Sequence, residues 1–240
     1  MTTQTPPPLP TDPMALQPME GSITLFGVIE SLLKQPGRIF YECRSGSLRV
    51  PLFLFLSMLT CLGLFGLLLG AFSGGVQLWA APLKVSAGTM VAVLICLPSL
   101  YIFSALSGVD AKISQIAGLL LASVSLTGLL LLGFAPVLWV FSASTESVGF
   151  MGILAVTFWL IALFFGARLL LNAASSFGLQ SSGYLKLWLA IFVIVTLQMS
   201  TSIRPIIGKA DTLLPTQKRF FIHHWMESFA RENRTAMTEP

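Results

Sequence analysis

An all-α fold, a polytopic transmembrane helix bundle of about five spans with flanking amphipathic interfacial helices, follows from three features of the sequence. Of the 240 residues only 10% are charged and 55% are hydrophobic, where an average soluble domain carries about 25% charged residues. Mean hydropathy is +0.83. The charges are also clustered: residues 50–83, 85–109, 113–145, 147–167, 169–185 and 187–203 contain none. A hydrocarbon core about 30 Å thick takes roughly 20 apolar residues per helix, and several of these windows reach that length. So few charges cannot cover a water-exposed surface, which excludes a soluble enzyme.

Residues 1–21 read as a Pro-rich disordered segment, with six prolines in the first 19 positions and no basic stretch leading into an apolar core as a secretory signal requires. From Ser22 the pattern becomes helical. Ile23, Leu25, Phe26, Val28, Ile29, Leu32 and Leu33 recur opposite Thr24, Glu30, Ser31 and Lys34, until Pro36 and Gly37 break the run. Region 22–49 is therefore an amphipathic element, either lying on the membrane surface or packed on the loops of the spans.

Five spans fill residues 50–204. The first, about 51–72, is apolar all round and stops at Ser73, Gly74 and Gly75; the second, about 86–106, closes at Ser107, Gly108 and Asp110. The third runs over about 116–141 through Pro136, and the fourth over about 150–173 with Arg168 inside it. The fifth, about 185–203, ends where Arg204 and Pro205 break the helix at the membrane edge. Residues 205–240 form a basic tail in which Phe220, Phe221, Trp225 and Phe229 predict a second interfacial helix among Lys218, Arg219 and Arg231. The net charge of +4 sits beside span ends, which suits a lipid bilayer as partner and not nucleic acid. Lys34, Arg38, Arg44, Arg49, Lys112 and Lys186 fall on one side of the membrane, and Lys84, Arg204, Lys209, Lys218 and Arg219 on the other. The bases before the first span place the N terminus in the cytoplasm.

Chemistry-bearing residues are sparse. Cys43, Cys61 and Cys96 make no CxxC and read as small buried hydrophobes. The adjacent His223 and His224 cannot share one helix face, so no metal or cofactor is expected. No HExxH, GxSxG, P-loop or GxGxxG occurs, and the spans hold no histidine or carboxylate to activate a nucleophile; an enzyme is not expected. Arg168 is the one charge well inside a span: an anion or substrate contact, a partner for a polar neighbour such as Asn172 one turn later, or a side chain that snorkels to the interface. Pro98 and Pro136 kink the second and third spans; such kinks can turn freed carbonyls toward a cavity, but with no inverted repeat or buried acid in the spans a kink for packing is the expected reading. Gly66 with Gly70, and Gly70 with Gly74, make overlapping GxxxG spacings that allow close helix approach.

The run Leu83–Gly108, containing Leu97, Pro98, Ser99, Leu100, Tyr101 and Phe103, and the run Leu197–Gly208, containing Gln198, Met199, Arg204, Pro205 and Gly208, together resemble an uncharacterised family of bacterial polytopic membrane proteins. That family carries LPSLYxFxxLxG and QMxxxLRPxxG stretches; Ile203 replaces its leucine here. The likeness covers about residues 39–208 and implies an inner-membrane location without an established activity. More loosely, the VIESLLKQPGRIF lead-in followed by about five spans is similar to Yip-type membrane proteins, which implies a membrane organiser and not a catalyst. The expected function is thus a non-enzymatic scaffold or accessory subunit of a membrane complex, partnered by other membrane proteins or by its own copies. The alternative is a transporter or channel-like protein with a site near the kinked second and third spans and Arg168.

Overall fold

The computed structural model describes residues 12–19, 21, 23–145 and 147–202. Over these residues the chain forms α1 (Leu25–Lys34), α2 (Pro36–Ser45), α3 (Arg49–Ser73), α4 (Gln77–Leu106), α5 (Ile113–Ser144), α6 (Val148–Ser175) and α7 (Gly183–Ser202). The fold is all-helical, and α3 to α6 are each long and apolar enough to cross a bilayer. The 20-residue apolar α7 runs beside α4 as the fifth member of the bundle. This is an integral, multi-pass membrane protein.

Helix ends sit where local chemistry puts them. Thr24 caps α1 by accepting the Gly27 N–H at 3.2 Å, and Pro36 opens α2, where its missing N–H costs nothing. Gly46, Gly74, Gly108 and Gly178 all take positive φ, the backbone turn that a Cβ would oppose. Ser147 starts α6 by accepting the Phe150 N–H at 3.2 Å. Lys112 precedes α5 and donates its N–H to Gln115 Oε1 at 2.8 Å, while Gln115 Nε2 donates to the Arg44 carbonyl at 2.9 Å.

The five long helices form an open ring in the order α6, α5, α3, α4, α7. α5 packs between α3 and α6, α4 packs on α3, and α7 packs on α4. Within lipid, apolar surface gains little from mutual burial, so close contact and small residues must drive the packing. At Gly66 an added Cβ would lie 2.7 Å from Pro82 Cα, and at Gly70 2.5 Å from the Gln77 carbonyl. The Gly66–Gly70 pair is therefore spent inside the chain, on the α3–α4 hairpin, while Gly74 ends α3. Gly166 brings α6 against Thr127 and Ser123 of α5, and Ser123 Oγ donates to the Gly166 carbonyl at 2.7 Å. On the last wall, Trp188 of α7 donates from Nε1 to Ser99 Oγ of α4 at 2.9 Å and stacks on Phe192.

On the N-terminal side, the loops after α4 and α6 clasp each other. Ser107 accepts from the N–H groups of Gln180 (2.9 Å) and Ser181 (3.2 Å), and Asp110 N–H donates to the Phe177 carbonyl at 3.1 Å. Beneath them α1 and α2 pack on the ends of α3 and α5, α2 also touching α6, and bury Val28, Leu32, Ile39, Phe40 and Cys43. Region 22–49 thus packs one face on the bundle ends and leaves Phe26, Leu33 and Leu48 exposed on the other.

Two expectations change. Residues 12–19 of the segment expected to be unpacked lie across α2: Gly37 N–H donates to the Pro13 carbonyl at 3.1 Å, Met19 N–H to Glu42 Oε1 at 3.3 Å, and Gly37 leaves room for the Met14 and Ala15 backbone. Proline favours an extended chain but does not prevent such a chain from docking. The second helix begins at Gln77 and not near 86, because the turn uses only residues 74–76 and Pro82 sits inside the helix.

Candidate functional site

Arg168 is exposed on α6, seven residues before its last residue. Asn172 is half-buried one turn on, and among the described residues no hydrogen bond joins the two. The Asn172 carbonyl instead accepts from Ser175 Oγ at 2.6 Å. Pro98 and Pro136 both lie exposed on the outer surface of α4 and α5, so neither turns a freed carbonyl toward a cavity. A kinking proline on the outside is sterically easier, since its ring needs no matching hollow in a neighbour. Tyr101 is also exposed, near the N-terminal-side end of α4, and Gln198 is half-buried in the last described turns of α7. The structure does not bring these residues together, and Arg204 and Pro205, like His223, His224 and the expected tail helix, lie outside the described residues.

Sequence reasoning missed a second charge within a span. Lys84, counted above among the bases outside the spans, lies in α4 with 6% of its surface exposed. Gln77, two turns earlier, is 2% exposed and its Oε1 has no partner. Both are held in the α3–α4 hairpin, where the glycines of α3 leave the backbones closest. The signal was the three-residue turn, which leaves no loop for Lys84 to occupy. Buried hydroxyls were also missed: Ser123, Ser125 and Thr127 of α5 and Ser57 of α3, of which Ser125 has an unpartnered Oγ atom. Such groups fit a helix interface whose spacing small side chains must set.

The cap on the N-terminal side holds Arg44 over the Phe177 ring at 5.6 Å, which ties α2 to the loop after α6. Cys43 of α2 faces Gly118 of α5; burial first, and Glu42 second, push its thiol up to about 12. It is a packing residue, and Cys61 and Cys96 are buried too. No group of three or more His, Cys, Asp or Glu gathers among the described residues.

One open groove interrupts the ring. α6 and α7 face each other across a space of about 250 Å³ lined by Leu160, Leu163, Phe164, Ala167, Leu189, Ala190, Phe192 and Val193. Its walls are apolar, and they do not contain the prolines. Comparison of the chain with protein-family models, with curated proteins and with solved structures gave no match.

Proposed function

We propose that this chain is a non-enzymatic bacterial inner-membrane protein that serves as a scaffold or accessory subunit of a membrane complex. The observation that carries the reading is the filled interior of α3 to α6. Gly66, Gly70, Gly118 and Gly166 each meet a neighbour where even a methyl group would collide, and α5 buries its own Leu119, Leu120, Leu131 and Leu138 against the helices around it. A body packed this tightly is suited to holding a shape and presenting surfaces. One such surface is the cap, where Phe26, Leu33 and Leu48 are exposed beside the membrane face, the kind of apolar display that marks a contact site.

A cytoplasmic N terminus belongs to the same proposal. With Lys84 inside α4, the bases of the opposite side reduce to those of the C-terminal tail, and Lys34, Arg38, Arg44, Arg49, Lys112 and Lys186 weigh more heavily for the cytoplasm. A reporter active only outside the cytoplasm, fused after Pro240, reads positive on this topology; a cytoplasmic signal there overturns it. For the function itself, purification in mild detergent recovers a stoichiometric membrane-protein partner or a self-assembly, whereas a lone monomer counts against it.

A second reading, a transporter or channel-like protein, draws on Lys84, because a buried cation in a span is costly and often functional. It requires a flux in liposomes that Lys84→Leu or Arg168→Leu abolishes. Absence of any flux removes it.

A further inference from the structure

We infer that the groove between α6 and α7 is a binding site for one anionic phospholipid, with an acyl chain in the groove and the phosphate between Arg168 and Lys186. α6 runs toward the N-terminal side and α7 runs away from it, joined there by residues 176–182. On α7 the groove residues Leu189, Ala190 and Val193 follow Lys186 at three, four and seven positions, so Lys186 continues that face toward the N-terminal side. On α6 Arg168 extends the row of Leu160 and Phe164 at intervals of four. The two walls thus end in two cations at the same mouth. Both are exposed, and among the described residues neither makes an ion pair. The acid on the adjoining loop is Asp110.

Depth agrees with a lipid. α6 has 28 residues and is therefore about 42 Å long, against a core of about 30 Å. Centred in the bilayer, it places Arg168 less than one turn inside the core boundary, from where a snorkelling guanidinium reaches the phosphate level. From Ala167 to Leu160 the groove then runs on for about 10 Å, down to the bilayer midplane, where acyl chains lie. Ala167 and Ala190 narrow neither wall, and Phe164 and Phe192 flank the slot. A transmembrane helix of a partner would leave both cations facing apolar surface unless it brought acids with it, whereas a phosphodiester with a chain attached satisfies the charges and the groove together. Basic pockets between spans are a recurrent way to hold anionic headgroups.

Native mass spectrometry of the full chain in detergent tests this, with phosphatidylglycerol and phosphatidylcholine of identical chains titrated in parallel. The expected result is a retained phosphatidylglycerol adduct in preference to phosphatidylcholine. Each of Arg168→Gln and Lys186→Gln lowers that preference about fivefold, and the pair lowers it further. Ala190→Phe, which fills the groove from an exposed position, removes the adduct. Excess soluble glycerophosphoglycerol fails to displace the lipid. Equal retention of the two lipids, an unchanged preference in the double variant, an adduct that survives Ala190→Phe, or displacement by the free headgroup would each overturn the proposal.

Discussion

Gly66 and Gly133 are both glycines within long apolar helices, yet their surroundings oppose each other. A Cβ on Gly66 would stand 2.7 Å from Pro82 Cα, a backbone atom that cannot swing aside, while Gly133 has nothing within 4 Å. Gly66→Leu should therefore destabilise the bundle by about 1–3 kcal/mol or more, the cost of overpacking a close contact. Gly133→Ala should be neutral or stabilise by up to about 1 kcal/mol, because glycine is the poorer helix former. Thermal unfolding in detergent compares the two. Cys43 gives a test through reactivity. With its thiol pushed up to about 12 from an ordinary 9.0, the thiolate that reacts is absent at neutral pH, so a maleimide at pH about 8 leaves Cys43 unlabelled until the protein is unfolded. The sign of the linkage follows: a raised folded-state value gives stability that is complete below the unfolded value and lost as pH climbs from about 9 toward about 12. Arg168 was visible from the sequence as a charge in an apolar window. Lys84 was hidden because a lysine next to Pro82 and a Gly-Gly turn reads as loop until the turn is known to be three residues long.

Among the helices, α7 depends on one wall. It packs chiefly on α4, and Trp188 supplies both its buried ring and the 2.9 Å bond to Ser99. Trp188→Phe keeps the stack on Phe192 and should cost about 0.6–1.5 kcal/mol, the range for an interhelical hydrogen bond. Trp188→Ala should cost about 3–5 kcal/mol and release α7, read as protease sensitivity of the 176–182 loop. The strap over α2 rests on Gly37 in the same way. Gly37→Val has no space beneath the Met14 and Ala15 backbone, so it should free residues 12–19 to proteolysis while the membrane helices hold their melting temperature. The spans were legible because a bilayer imposes length and apolarity on every spanning helix. The strap was not, because its docking depends on one glycine in α2 and on Glu42, contacts with no local pattern. The interfacial lead-in was half legible: its apolar spacing marks Val28 and Leu32 as buried without saying whether bundle or lipid covers them.

For the molecule as a whole, the ring of five helices has a filled interior, an unfilled seam and a cap with exposed apolar side chains, and the proposed role rests on that combination. Its seam joins residues from α6 and α7 that lie more than 20 positions apart, which is why charge windows and periodicity gave each wall but not the groove. The cap is the surface through which a scaffold would work: Phe26 is 82% exposed and Leu48 81%, on the side where α1 and α2 meet the bundle ends. A photo-crosslinking amino acid placed at Phe26 or Leu48 in the native membrane, with Leu94 of α4 as the outward-facing reference, shows whether the cap holds a partner. A scaffold gives a discrete adduct with one membrane protein, or with a second copy of this chain, from Phe26 and Leu48 and not from Leu94. An absence of protein adducts at both cap positions, together with a flux in liposomes carrying the purified chain, would contradict that role.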